Sequence, residues 1–396
     1  MKRSTKTDLP IRRLYSNGLD TDRFARMLDG TTQSYKFFWL DAVMELLPTA
    51  GPDIPFTDIF NEMIWRAWYP VREFRLRMGP AVNGSPVNIL ERAVHILGED
   101  TAIPEPARKE DIMAAIDRNG AALKDCINRL AVYVPYRTLS PFLDGIRGGD
   151  RIWNCKRDLI RHISETDSRI CLPYTVIDGK GTGKKVRVNP QWRAFIFDNY
   201  AVIRGWVKLK KAEYLQDRNP GVPGIILKLE ENHCDRRKLG EARKLWTDAA
   251  SAAGTAVRDI YTGKALEKEA VSIDHFVPWS YVASDELWNL APVSAGTNSS
   301  KGAKLPEWDS FFIPFAQSQF DMYRTAFSSP AVYRQFNRCR KDNLNSMWAV
   351  EMLYINNNPE ERFISTLEQH LRPIYDSAKM QGYGIWDSAN VTGGKR

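Results

Sequence analysis

Five polar side chains recur between residues 273 and 305 at spacings that only a short, tightly folded unit can bring together. Asp274-His275 interrupts an apolar run from Ile273 to Trp279. Asn289 follows fourteen residues past His275, between Trp288 and Leu290. Asn298 lies nine residues beyond Asn289, and Lys301 three beyond that. Neighbouring residues of a strand point to opposite faces, so Asp274 and His275 can take separate roles. Residues three apart on a helix share a face, which sets Lys301 one turn from Asn298. The pattern predicts a strand and turn over 259–264, a second strand over 272–279 completing a small hairpin, and a helix beginning at 299–304.

These residue types suit one chemistry. Hydrolysis of a phosphodiester needs a base to activate water, a cation to neutralise developing charge, and rigid placement of both. His275 can accept a proton near neutral pH. Asp274 and the side-chain oxygen of Asn298 are hard donors suited to Mg2+, or Mn2+, which retains waters and takes few protein ligands. Asn289, set between hydrophobic residues, is placed to pin the intervening loop and hold His275. Lys301 is expected at the scissile or a neighbouring phosphate. An Asp-His pair alone is common, so the assignment rests on the joint spacing. The five cysteines (Cys126, Cys155, Cys171, Cys234, Cys339) are dispersed and never form Cys-x-x-Cys, so no structural zinc and no disulfide framework are expected.

Asp274-His275-x-x-Pro278, Asn289-Leu290 and Asn298-x-x-Lys301, with Leu305-Pro306 behind, resemble the HNH endonuclease family in its His-Asn-Asn variant. That resemblance covers residues 258–306. It implies a ββα-metal fold with His275 as general base, Asp274 and Asn298 on the metal and Asn289 organising the loop. The zinc-anchoring cysteine pairs of many members are absent, so packing by Trp279, Tyr281, Leu287, Trp288 and Leu290 must stabilise the unit. Further out, residues 32–39, 67–71 and 218–223 are similar to flanks of bacterial HNH proteins associated with defence. Related units also occur in large subunits of certain CRISPR Cascade complexes.

The rest of the chain bounds where this chemistry is delivered. With 56 Lys and Arg against 48 Asp and Glu, the 396 residues have a net charge of +8, which favours a polyanionic partner such as DNA. The glycine-rich stretch 179–184 encloses too few residues for a nucleotide-binding loop. It reads instead as a turn between strands at 171–177 and 185–188. Lys180, Lys184, Lys185, Arg236, Arg237 and Lys264 are the candidate nucleic-acid contacts. Apolar periodicity predicts helices over 32–47, from 57 towards 79 with a bend at Pro70, 86–97, 105–118, 121–132, 191–215, 236–252, 310–327, 330–339, 343–353 and 359–380.

The expected fold is therefore α+β, with mostly helical regions around a central ββα unit. Its segments are a helical domain (1–148), a basic mixed segment (149–235), the nuclease unit (236–309) and a helical C-terminal region (310–396). Residues 219–224 form a turn-rich break. No apolar run is long enough to span a bilayer, so a cytoplasmic protein is expected. The leading expectation is a Mg2+-dependent DNA endonuclease in antiviral defence. The alternatives are a subunit of an RNA-guided Cascade complex, with guide RNA and partner subunits, and a non-catalytic nucleic-acid-binding scaffold.

Overall fold

The structure, a computed structural model, describes residues 18–80, 87–143, 171–177, 179, 181–229 and 237–389. Its contacts divide the chain into two units, Met1–Pro220 and Gly221–Arg396, and the division falls within the turn-rich stretch 219–224. No described helix is long and apolar enough to cross a membrane.

The first unit is built from helices α1 (Thr21–Ala25), α2 (Tyr35–Leu46), α3 (Phe56–Arg72), α4 (Ile89–Leu97), α5 (Lys109–Arg118) and α6 (Gly120–Thr138), then α7 (Pro190–Asp198) and α8 (Tyr200–Arg218). Helix α2 differs from the single buried stripe its periodicity predicts: every residue from Phe37 to Met44 is buried. A helix apolar all round belongs in the middle of a bundle, and α3, α6 and α8 pack around this one. Asp41, caught inside, is neutralised by Lys211 Nζ at 2.5 Å and faced by Arg66 at 3.6 Å. Helix α3 stops two residues after Pro70, well short of residue 79. The helix predicted over 191–215 is two, because the Asn199 side chain donates to Phe195 O at 2.9 Å and closes α7.

Strands β1 (Asp53–Pro55), β2 (Tyr174–Ile177) and β3 (Lys185–Val188) form an antiparallel sheet with β3 central. Ile54 and Val176 both stand opposite Val186, so the register puts apolar side chains on one face.

The second unit comprises α9 (Ile225–Lys228), α10 (Gly240–Ala252), strands β4 (Val257–Arg258), β5 (Ala265–Leu266) and β6 (Val271–His275), α11 (Trp279–Val282), β7 (Leu290–Ser294) and α12 (Ala295–Lys301). Helices α13 (Trp308–Ser328), α14 (Pro330–Asn343) and α15 (Glu360–Met380) follow. Of the helix predicted over 343–353, a short helical turn over 347–353 forms, with π geometry at Ala349–Leu353. The core is aromatic: Phe276 packs on Phe315 with ring centres 4.4 Å apart, and Trp308 lies between Phe312 and Tyr375. Gln319, buried on α13, donates to Leu287 O and Leu290 O at 2.8 and 2.6 Å, fixing the start of β7 against this core.

Candidate active site

The hairpin at the centre of this unit is not the predicted one. Residues 257–258 pair only with 265–266, whereas β6 pairs antiparallel with β7, setting Asp274 opposite Ala291 and His275 opposite Leu290. Strand β7 escapes sequence reading because Pro292 interrupts it, and a proline is tolerated in a ladder of only two strands. The helix also starts earlier than expected. Ser294 accepts from the Thr297 N–H at 3.0 Å, and α12 begins at Ala295, so Asn298 lies inside it. The order is therefore strand, loop, strand, helix, with the catalytic candidates on β6, at the foot of β7 and on α12.

Asn289 closes the loop between the strands. Its side chain, fully buried, accepts from Val277 N and donates to Val277 O, both at 2.8 Å, while its own carbonyl accepts from Phe276 N. The chain leaving β6 is thereby held to the residue that precedes β7, directly beyond His275.

Asp274 and His275 are both buried. The Asp274 carboxylate accepts from Tyr261 Oη at 2.8 Å and meets Lys301 Nζ at 3.0 and 3.2 Å. Lys301 also donates to His275 O at 2.8 Å. Burial pushes the Lys301 amine below its usual range, against the opposing pull of Asp274. Burial and the neighbouring Asp274 hold the Tyr261 phenol well above its usual value. Lys301 thus does not stand out towards a phosphate as the sequence predicts; it is 1 % exposed and braces strand β6 from α12.

His275 has one side-chain partner, Asp285, whose Oδ1 lies 2.9 Å from Nε2. Asp285 Oδ2 accepts from Lys238 N at 2.6 Å, and the Asp285 carbonyl from Asn343 Nδ2 at 2.8 Å. Burial raises the Asp285 carboxyl, but His275, the Lys238 amide and Arg237 together hold it below the usual carboxylate range. An ionised carboxylate only accepts, so Nε2 is the donor of this pair, and a neutral ring then carries its lone pair on Nδ1. Among the described residues Nδ1 meets no partner.

Asn298 is oriented for a second role. Its Nδ2 donates to Ser272 Oγ at 3.0 Å and approaches Ile273 O at 3.4 Å, which leaves Oδ1 without a partner among the described residues. One carboxylate and one amide oxygen form a hard-donor pair, the chemistry that suits Mg2+ and leaves most coordination positions to water and substrate. No cluster of three or more His, Cys, Asp or Glu exists among the described residues. Asp274 and Asn298 supply donors of this type, and the Asp274 carboxylate is engaged here by Lys301 and Tyr261.

Three residues of this centre were not singled out in the sequence. Asp285 sits in a polar break, Ser284-Asp285-Glu286, whose position beside His275 depends on the path of the loop. Tyr261 reads as one more aromatic. Asp259, buried, accepts from Ser294 N at 2.9 Å and Thr297 Oγ1 at 2.7 Å through one oxygen, and from Tyr261 N and Thr262 N through the other. It ties the 259–262 turn to the start of α12.

The nucleic-acid candidates are scattered. Lys184 is buried and donates to Tyr136 Oη at 2.9 Å, so it is structural. Lys185 and Lys264 are exposed, and Arg237 lies over the Trp279 ring. Lys180 and Arg236 lie outside the described residues.

A buried histidine paired with a carboxylate, a neighbouring Asp and Asn, and an asparagine-clasped hairpin followed by a helix make up this centre. Residues 259–307 match the family model described as HNH endonuclease. No curated protein and no solved structure matches the chain.

Proposed function

We propose that the chain is a divalent-metal-dependent endonuclease that hydrolyses phosphodiester bonds in DNA, with Mg2+ or Mn2+ as its ion and antiviral defence as its setting. The observation carrying this reading is the His275–Asp285 pair beside Asp274 and Asn298 on one clasped hairpin. The free Nδ1 of His275 takes the proton from the attacking water, and Asp285 holds the ring in the tautomer that permits it. Asp274 and the free Oδ1 of Asn298 are the residues that hold the ion, which when bound neutralises charge on the phosphate and leaving oxygen. Lys301 keeps Asp274 and the His275 backbone in register. The net charge of +8 supports a polyanionic substrate.

The test is cleavage of supercoiled and linear DNA over a range of divalent ions. Activity with Mg2+ or Mn2+ that EDTA abolishes and Asp274→Ala removes is the expected result. Activity that persists in EDTA would reject the metal-dependent mechanism.

A further inference from the structure

We propose that the outer face of α14 is the track on which a nucleic-acid backbone lies as it reaches His275. This rests on the nuclease reading but concerns residues outside the matched segment. Helix α14 buries Val332, Gln335, Phe336, Cys339 and Asn343. At 100° per residue, Arg334, Arg338 and Lys341 fall in one stripe on the opposite face. All three are exposed, as is Arg340. The stripe runs over about 10 Å, a length that passes roughly three phosphates of one strand in B-form DNA.

Three observations separate this stripe from an ordinary solvated face. First, none of these four cations has a hydrogen bond or ion pair among the described residues. Arg324 on α13 and Arg372 on α15 are instead paired on their own helices with Asp321 at 3.2 Å and Asp376 at 3.0 Å. The acidic residue that α14 does contain, Asp342, is taken by Lys238 at 2.7 Å. Second, cations in the last turn of a helix complement its C-terminal dipole, which accounts for Arg340 and Lys341 but not for Arg334 and Arg338 in its middle.

Third, the helix that carries the stripe ends beside the His275–Asp285 pair, which it meets through its buried face. Asn343, the last residue of α14, donates to Asp285 O at 2.8 Å and to Lys238 O at 3.0 Å, and Asp285 is the partner of His275. Helix α10 packs beside α14, joined by Gln335 to Glu241 at 2.7 Å, and exposes Arg243 and Lys244. A linear, unneutralised cationic strip on the helix that ends beside the His275–Asp285 pair fits a chain of regularly spaced phosphates.

The experiment measures binding of a fluorescent DNA duplex to the full-length protein across a salt series, without requiring cleavage. The triple variant Arg334→Gln/Arg338→Gln/Lys341→Gln should bind at least tenfold more weakly. Its slope of log affinity against log salt should be shallower by about 2.7, since each lost phosphate contact contributes about 0.9. The double variant Arg334→Gln/Arg338→Gln should lose about 1.8 of that slope. Arg324→Gln, a paired cation, should change neither quantity. Affinity and slope equal to wild type in both multiple variants would overturn the proposal. Because the readout is binding, a wild-type protein that never cuts DNA would defeat the nuclease reading and leave the track decided by its own slope.

Discussion

Asn289 gives the sharpest prediction about how the centre is held. Replacing it with Ala removes two 2.8 Å hydrogen bonds and strands the N–H and C=O of Val277, a residue that is itself fully buried. Each unpaired buried group costs about 1–3 kcal/mol, so Asn289→Ala should destabilise the second unit by roughly 2–6 kcal/mol. Asn289→Asp adds a pH dependence. One carboxyl oxygen can still accept from Val277 N, but the other then faces Val277 O and can be satisfied only by carrying a proton. Its folded pKa must therefore rise above the unfolded value of about 3.9. A raised carboxyl contributes stability that is complete below the unfolded pKa and is lost as pH rises through the folded one. Denaturant titrations followed by tryptophan fluorescence should show Asn289→Asp closest to wild type near pH 4 and diverging towards neutrality, while Asn289→Ala stays displaced throughout. Both variants within about 0.5 kcal/mol of wild type, with parallel pH profiles, would refute the clasp.

Asp285→Asn should lower kcat by about 10–100-fold with little change in KM, the usual cost of removing a group that orients a catalytic ligand. A kcat within twofold of wild type would show that His275 needs no such partner. In the first unit, burial raises the Asp41 carboxyl but Lys211 and Arg66 hold it below the usual range. Its stabilisation is therefore present at neutral pH and lost as pH falls through the depressed value. Asp41→Asn, which leaves Lys211 buried and unpaired, should cost about 3–5 kcal/mol at pH 7 and flatten the acid limb of the stability curve. An unchanged acid limb would contradict the ion-pair assignment.

The grouping of the candidate residues was legible because it is local. Asp274, His275, Asn289, Asn298 and Lys301 lie within 28 residues, and the structure brings them to one hairpin and the helix after it. Strand pairing was not legible. The true partner of β6 contains Pro292, while the segment that looked like a partner, 259–264, is a turn organised by Asp259. Side-chain direction was the other failure. Lys184 and Lys301 read as solvent-facing cations, yet each is drawn inside by a partner remote in sequence, Tyr136 and Asp274. Asp285 gives no periodic signal, because its value comes from where a loop happens to pass. Helix α2 read as one-sided because periodicity detects its strongest stripe, and only the neighbours α3, α6 and α8 show that the other faces are covered too.

The central claim is that His275 is the base of a metal-dependent nuclease. Wild-type protein and His275→Ala should be compared on the same DNA with saturating Mg2+ or Mn2+, alongside DNA affinity and thermal unfolding of both proteins. Loss of cleavage by at least about 100-fold, the low end for a general base, with DNA affinity and folding retained, is the expected result. Equal cleavage by the variant, or no cleavage by the wild type with any divalent ion, would contradict it.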